Sequence, residues 1–332
     1  MSTQTPEANF PIAFRNDNPV MQMPERLTVL EAIAFKQACH RLLENYPTSR
    51  EIALDFNRTQ FMDSSGVGAL VHNFKAAQAS GIDLILFNLH PPVMAVLTMT
   101  GLDAVFKIAN VQEVRAELAN FNGDSQLPET HPSTRSWIKR GIDLAGSLVG
   151  LGITGVLFIP IAIAIKLDSP GPIFFRQTRC GWLGKPFKII KFRSMCVNAE
   201  ALKEQIPNQA RGPFFKNPKD PRITRVGRFL RSTSLDELPQ FWNVLAGEMS
   251  LVGTRPPTPD EVELYEVPEW QRLNVKPGMT GEWQVHGRSR VRTFEEVIEL
   301  DLRYQQHWSL LYDIQLIIKT IFILFKKNSG AF

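Results

Sequence analysis

Apolar residues in the first part of the chain form short runs that alternate with helix-length stretches. The run EIALDF (51–56) precedes SSGVGALVHNFKAAQASG, which is typical of a helix ending at Gly81, and IDLILFNL (82–89) is a second strand-like run. PPVMAVLTMTGL predicts a further helix, because proline is favoured in a first turn. Strands that alternate with helices predict a small α/β domain that closes near residue 120.

A polar segment separates this domain from the rest of the chain. FNGDSQLPETHPST (121–134) contains proline and has no hydrophobic period, so it predicts a linker. We therefore expect a first domain over 1–120, a linker over 121–136 and a second domain over 137–332.

A long apolar stretch opens the second domain. From Leu144 to Ile165 there is no charged residue, and an uncharged stretch of this length can enter a bilayer. Pro160 favours a kink in such a helix. Cations flank both ends of the stretch: Arg135, Lys139 and Arg140 precede it, and Lys166, Arg176 and Arg179 follow it. The positive-inside rule places both ends in the cytosol. These features predict a re-entrant helix over about 142–165; a buried core helix is the alternative.

The last apolar segment, SLLYDIQLIIKTIFILFKK (309–327), carries charges within it. Lysine in the middle argues against a full membrane span, whereas lysine side chains can reach the surface from a helix that lies in the interface. We predict an interfacial helix there.

The composition narrows the possible partners. The 332 residues carry a net charge of +4, which suits a membrane surface or a phosphorylated substrate at least as well as nucleic acid. Three cysteines without C-x-x-C spacing indicate reduced, cytosolic thiols, and the six histidines lack zinc-site spacing. The first residues contain no secretory signal pattern.

Two adjacent acids stand out in RSTSLDELPQFWNVL (231–245). Ser234 and Glu237 match the S-x-x-E capping box, which explains the glutamate but not Asp236. An ionised aspartate beside arginines at a helix start is also suited to attack phosphorus or to bind magnesium. On these residues alone, a helix cap and an active site are both possible.

Three basic segments surround this pair in the sequence: KIIKFRSM (188–195), SLVGTRPP (250–257) and NVKPGMTGEWQVHGRSR (274–290). Glycine allows backbone amides to approach an anion, and arginine binds phosphate with two hydrogen bonds. RNA binding is an alternative, but the aromatic residues that stack on bases are sparse, so nucleic acid is not an expected partner.

From about Trp137 onward the chain resembles the bacterial sugar transferases, the monotopic phosphoglycosyl transferases. The resemblance is carried by KLDSPGPIFFRQ, KFRSM, RVGRFLRSTSLDELPQFWNVLAGEMSLVGTRPP and KPGMTGEWQVHGR, in that order. It implies a re-entrant helix and an α/β catalytic body on the cytoplasmic face of the bacterial inner membrane. The implied reaction transfers a sugar-1-phosphate from a UDP-sugar to polyprenyl phosphate, releasing UMP, as the first membrane step of polysaccharide or glycoconjugate assembly.

The same resemblance implies roles for single residues. Asp236 would be the nucleophile that forms an aspartyl phosphosugar, and Glu237 its partner, with Mg²⁺ bound nearby. Arg231 falls at a phosphate-contacting position, and Arg255 lies in the Arg-Pro turn of the family. Further candidates for phosphate or uridine contacts are Lys191, Arg193, Lys276 and Arg288. One departure is Ile159, which precedes Pro160 where some small members have serine.

The N-terminal part resembles the STAS domains of anti-sigma-factor antagonists, through LDFNRTQFMDSSGVGAL (54–70). Asp63-Ser64-Ser65-Gly66 corresponds to the phosphorylated loop of those proteins, so Ser64 and Ser65 are candidate phosphorylation sites; alternatively, a serine merely caps the next helix. A regulatory or dimerising domain is implied, with a second copy or a STAS-binding regulator as partner. The alternative for the whole chain is a non-enzymatic, membrane-tethered signalling protein.

Overall fold

The computed structural model describes residues 10–15, 18–109, 130–202, 205–208, 215, 217, 220–286 and 293–325. Two compact units form. Unit 1 contains the chain up to Thr130 together with Leu183–Lys185 and Tyr265–Asn274, and unit 2 contains His131–Trp182, Pro186–Leu264 and Val275 onward.

Unit 1 is an α/β domain, as the alternation of strands and helices predicts. Its five-stranded sheet has the order β1-β2-β4-β6-β7, in which only the first pair is antiparallel. Its elements are β1 (Ile12–Arg15), β2 (Asn18–Gln22), β3 (Arg26–Leu27), α1 (Val29–Asn45), β4 (Glu51–Asp55), β5 (Phe61–Met62), α2 (Ser64–Ala79), β6 (Asp83–Phe87), α3 (Pro91–Thr100) and β7 (Lys107–Ile108).

Alternating burial explains the central strands of unit 1. Ile52 and Leu54 of β4 are fully buried, and Leu84 and Leu86 of β6 are nearly so, because a strand points every second side chain to the same face. The sequence predicts that helix α2 ends at Gly81, and the helix ends two residues earlier, at Ala79. Gly81 itself has a φ of 72°. Glycine reaches this left-handed conformation without steric cost.

Unit 2 begins with a short helix and a very long one and continues as a mixture of short elements. These are α4 (Pro132–Arg135), α5 (Trp137–Asp168), β8 (Phe174–Cys180), β9 (Pro186–Phe192), α6 (Arg225–Ser232), a 3₁₀ helix (Leu235–Gln240), α7 (Phe241–Leu245), β10 (Ser250–Val252), α8 (Pro259–Glu263), β11 (Gly278–Thr280), α9 (Glu282–His286), α10 (Phe294–Gln306) and α11 (Leu310–Phe325).

Helix α5 is longer than the predicted 142–165 at both ends. Its 32 residues make it, among the described residues, the one helix long and apolar enough to cross a membrane, by length and composition. It continues through Pro160, where the carbonyl of Val156 loses its intrahelical donor because proline has no N–H. Exposed apolar side chains cover much of it, including Val149 at 65% and Val156 at 79% exposure.

A buried stripe on α5 argues against a uniformly apolar core helix. The stripe repeats every three or four residues, as one helix face does, and much of it is small or polar: Lys139, Asp143, Ser147, Gly150 and Thr154. The rest of the helix surface stays exposed. The predicted interfacial helix also has two faces: in α11, Asp313 and Leu316 are buried, whereas Leu311 and Phe322 are exposed.

A buried polar cluster joins these two helices. The Nζ of Lys139 donates to a carboxylate oxygen of Asp313 at 2.6 Å and to the carbonyl of Val252 at 3.0 Å. The hydroxyl of Tyr304 donates to Asp313 at 2.9 Å and to the same carbonyl at 3.1 Å, and the indole N–H of Trp308 donates to Asp313 at 3.1 Å. The cluster fixes the starts of α5 and α11 to the end of β10.

Removing one partner of this ion pair should destabilise unit 2. Lys139→Met leaves Asp313 buried without its cation, so we expect a loss of about 3–5 kcal/mol of unfolding free energy. Lys166→Met, on an exposed position of the same helix, is the control and should change stability by less than about 0.5 kcal/mol. Denaturant titration of detergent-solubilised protein measures both. Equal effects of the two substitutions would contradict the role given to the cluster.

Candidate active site

The acid pair lies on a 3₁₀ helix that follows a strained residue. Ser234 has a φ of 56°, a left-handed conformation that costs a non-glycine residue roughly 1–3 kcal/mol and often occurs at functional sites. Its side chain makes no cap hydrogen bond, and the Glu237 carboxylate instead accepts from Lys191 Nζ at 2.9 Å. The S-x-x-E pattern predicts a capping box, and this prediction is wrong. The left-handed conformation of Ser234 replaces the extended conformation that a capping residue normally has.

A cavity of about 560 Å³ in unit 2 brings most of the predicted site residues together. Asp236 is 7% exposed and lies on its wall. Of the eight residues predicted to act in catalysis or substrate binding, six line this cavity: Lys191, Arg193, Arg231, Asp236, Glu237 and Arg255. The cavity therefore combines two carboxylates with several cations.

The hairpin of β8 and β9 forms one wall. In its antiparallel register Lys191 is opposite Phe175, Ile189 is opposite Gln177, and Phe187 is opposite Arg179. Directly opposite residues share a face of the hairpin. Lys191 thus reaches Glu237 from the β9 side.

Two of the predicted arginines already have protein partners. Arg193 is buried and donates to the carbonyls of Pro170 and, at 2.8 Å, Ser169, which follow the end of α5. Arg255 forms two hydrogen bonds to Glu261, at 2.7 and 3.0 Å. Both side chains therefore help to hold the cavity wall in place.

The sequence predicts Arg179 only as one of the cations that flank the apolar stretch, and not as a site residue. Its side chain lines the cavity and donates to the Pro256 carbonyl at 2.9 Å and to Gln177 Oε1 at 2.7 Å. Burial, and next the charge of Arg255, lower the pKa of Arg179 to about 10. The Arg222–Asp220 ion pair, with a shortest N–O distance of 2.7 Å, also lines the cavity and was not predicted.

Two predicted substrate contacts are not among the described cavity residues. Lys276 lies near Gly247 and Arg140, and burial followed by the charge of Arg140 lowers its pKa. Arg140 itself donates to the Val244 carbonyl at the end of α7, at 2.7 Å. Arg288 lies outside the described residues.

The acid pair fits one way in which proteins bind magnesium. Among the described residues, no group of three or more histidine, cysteine, aspartate or glutamate side chains is placed to hold a metal ion. Magnesium is, however, commonly bound through one or two carboxylates together with phosphates of the substrate. Asp236 and Glu237 in a cation-lined cavity match that arrangement.

A second candidate site, the predicted phosphorylation loop, lies in unit 1. Asp63 caps α2 by accepting from the N–H groups of Ser65 and Gly66, at 2.8 and 3.0 Å, so the aspartate is the cap and not a serine. Ser64 donates its N–H to Asn274 Oδ1 at 3.0 Å and its hydroxyl to the Trp270 carbonyl at 2.5 Å. Both serines are fully buried, and their phosphorylation stays a prediction.

Comparison with known proteins identifies both parts of the chain. The model of the bacterial sugar transferase family matches residues 134–327, and that of the STAS domain matches residues 9–114. The first match covers more than half of the sequence. The chain therefore belongs to the bacterial sugar transferase family, with an N-terminal STAS-like domain, as the sequence motifs predict.

Curated relatives match more than half of the chain. The galactosyl transferase CpsE of Streptococcus agalactiae serotype III (strain NEM316) is 48% identical over 185 residues, which are 55% of this chain and 41% of the relative. The UDP-glucose:undecaprenyl-phosphate glucose-1-phosphate transferase of Escherichia coli (strain K12) is 44% identical over 56% of this chain and 39% of the relative. The chain thus spans about two-fifths of the length of these relatives.

A shorter relative is covered more fully, and solved structures resemble the first part. The exopolysaccharide production protein ExoY of Rhizobium meliloti (strain 1021) is 38% identical over 55% of this chain and 83% of the relative. A crystal structure of a putative anti-sigma factor antagonist from Thermotoga maritima is 27% identical over 33% of this chain and 94% of its own, with a TM-score of 0.28.

Asp63 should give unit 1 a pH-dependent stability. Burial, opposed by the Gly66 and Ser65 N–H groups, raises its pKa from 3.8 to about 6, so the folded state binds the proton more tightly than the unfolded state. Its contribution is therefore fully present below about pH 4 and is lost as the pH rises to about 6. Asparagine is an equally good cap, so Asp63→Asn should remove this dependence and stabilise the protein at pH 7 by roughly 1–3 kcal/mol.

Denaturant titrations at pH 4.5 and pH 7 would measure this effect. Asp83→Asn, which changes an exposed aspartate of β6, is the control and should leave the pH dependence of the wild type in place. Unchanged pH dependence in Asp63→Asn would show that Asp63 is not the titrating group.

Proposed function

We propose that this protein transfers a sugar-1-phosphate from a UDP-sugar to a polyprenyl phosphate, releasing UMP, in the assembly of a polysaccharide or glycoconjugate. The observation that carries the proposal is the buried Asp236 beside Glu237 in a cavity lined by Lys191, Arg231 and Arg255. The names of relatives support it, since they include a UDP-galactose-lipid carrier transferase and an undecaprenyl-phosphate galactose phosphotransferase.

In the proposed reaction, a carboxylate oxygen of Asp236 attacks the phosphorus that bears the sugar. The bond between this phosphorus and the bridging oxygen breaks, and UMP leaves with that oxygen. An oxygen of the polyprenyl phosphate then attacks the same phosphorus, which breaks the bond to Asp236 and regenerates the carboxylate. Nearby cations favour the ionised form of a carboxylate, and the first step requires this form.

The neighbouring residues position these groups. Lys191 holds the Glu237 carboxylate at 2.9 Å, and the 3₁₀ helix fixes Glu237 directly beside Asp236. Arg231 and Arg255 supply positive charge where phosphate oxygens bind. Asp236 and Glu237 would also hold magnesium, which would neutralise part of the negative charge of the diphosphate.

We further propose that the protein acts on the cytoplasmic face of the bacterial inner membrane. The exposed apolar side chains of α5 and α11 support attachment to the lipid, and the cations at both ends of the apolar stretch support a re-entrant path. The STAS-like domain would bind a regulator or a second copy of the chain. A purely signalling role is less well supported, because it gives no purpose to the acid pair in its cationic cavity.

Asp236→Asn should lower the rate of UMP release by about a thousandfold or more, because an amide cannot form the acyl phosphate of the intermediate. Incubation of the wild type with a UDP-sugar, without acceptor, should add the mass of a sugar phosphate to the intact protein, and the variant should not gain it. Glu237→Gln should also be severely impaired. Asp260→Asn changes an exposed acid of α8 and should behave as the wild type. UMP release by Asp236→Asn at a near-normal rate would refute the covalent mechanism.

Residues on both sides of α5 should be accessible from one face of the membrane. Single cysteines introduced at Thr130 and Glu200, in a background without the three natural cysteines, can be labelled in sealed vesicles with an impermeant maleimide. We expect both to react from the same side, because a re-entrant helix returns the chain to that side. Labelling from opposite sides would show that α5 crosses the membrane.

A further inference from the structure

One end of the cavity contains a cation that the proposed mechanism does not use. Arg179, near the end of β8, lines the cavity together with Gln177, Arg255 and Glu261. We call this part of the cavity the Arg179 end. Its residues belong to unit 2, and they hold a fixed geometry through hydrogen bonds between β8 and the turn that follows Arg255.

The hydrogen bonds of Arg179 do not use all of its donors. Its two Nη atoms donate to the Pro256 carbonyl and to Gln177 Oε1, both uncharged acceptors. Its Nε is shut off from solvent and has no hydrogen-bond partner among the described residues. Each Nη also has a second N–H, so the part of the side chain that lines the cavity can donate to an acceptor bound there.

The charged groups at this end allow Arg179 to bind a further hydrogen-bond acceptor. Glu261 is 6% exposed; it binds Arg255 through both carboxylate oxygens and also accepts from the Thr258 N–H. With a pKa of about 10, Arg179 remains charged at neutral pH. A guanidinium can only donate hydrogen bonds, so the group that completes this site must offer oxygen or nitrogen acceptors.

The hairpin gives the distance from this end to the acid pair. Lys191, which binds Glu237, is paired with Phe175, and Arg179 follows Phe175 by four residues on the same face. At the rise of an antiparallel strand, four residues span about 13–14 Å. The Arg179 end is therefore well removed from the position of the phosphorus that Asp236 attacks.

Only one part of a UDP-sugar extends that far from the attacked phosphorus. The sugar is joined to this phosphorus through a single oxygen, so no atom of the sugar ring lies farther from the phosphorus than this oxygen link plus the width of that ring. The uracil lies beyond the second phosphate and the ribose. Its carbonyl oxygens are acceptors, and cytosine replaces one of them with an amino group, which donates.

We propose that Arg179 binds O4, the uracil carbonyl oxygen that cytosine replaces with an amino group, and thereby makes the enzyme specific for uridine nucleotides. This inference rests on the proposed function, because it takes a UDP-sugar as the substrate. A site built to hydrogen-bond a particular group rejects an analogue that lacks it, since the protein donor then stays buried without a partner. Arg179 therefore selects the base, whereas the groups around Asp236 handle the phosphates.

Binding of UMP and CMP to the purified, detergent-solubilised full chain tests the proposal without requiring turnover. Isothermal titration should show that the wild type binds UMP at least tenfold more tightly than CMP. Arg179→Met should weaken UMP binding at least tenfold and bring the UMP-to-CMP ratio close to one. Arg176→Met is the matched control, because this arginine lies on the same strand but points to the opposite, exposed face.

Other outcomes distinguish the two levels of the proposal. If Arg179→Met weakened the binding of UMP and CMP equally, Arg179 would contact the phosphate or support the fold and would not read the base. If the binding of both nucleotides were unchanged, Arg179 would not belong to the site. Either result overturns the proposal. If Arg179→Met does not fold, Arg179→Lys keeps the charge and should still lower the UMP-to-CMP ratio; an unchanged ratio overturns the proposal. A wild type that binds neither nucleotide and releases no UMP would refute the proposed function itself.

Discussion

The buried ion pair of Lys139 and Asp313 is the constraint on which unit 2 depends. Each group would be costly to bury alone, so α5 and α11 can be buried at these positions only together. The Val252 carbonyl, which accepts from Lys139 and from Tyr304, ends β10, and three residues later Arg255 lies in the cavity wall. Asp143, one turn along α5, reinforces the connection by accepting from the Leu251 N–H at 2.9 Å. The two helices with exposed apolar faces and the candidate active site are thus tied by the same polar contacts.

The candidate site is built from three chain segments that are distant in sequence. The β8–β9 hairpin supplies Lys191, the 3₁₀ helix supplies the acid pair, and the turn after β10 supplies Arg255. Close backbone packing holds the last segment: a Cβ on Gly278 would come within 2.1 Å of the Gly253 nitrogen, so only glycine fits there. Rigid support of this kind holds the side chains of a site in a defined geometry.

Much of this arrangement could be predicted from the sequence, and the remainder has physical causes that the sequence does not display. Alternating apolar residues predict β4 and β6, and the length of the uncharged stretch predicts α5. The predicted capping box does not form because Ser234 has a left-handed backbone conformation, which the S-x-x-E pattern does not reveal. Arg179 was missed because strand periodicity does not show which face of a hairpin borders a cavity. Lys276 is in a basic loop, but its burial beside Arg140 depends on how that loop packs.

The Trp270 segment has a consequence for how the domains of this chain can be rearranged. Residues 265–274 belong to the stretch that matches the sugar transferase family, yet they fold as part of unit 1, with the Trp270 ring against Gly68. A Cβ on Gly68 would lie 2.4 Å from this ring, so the contact leaves no space for any larger residue. A chimera that joins this STAS-like domain to another transferase at the linker would separate α2 from its complementary tryptophan. Exchange of the domain therefore requires exchange of the 265–274 segment with it.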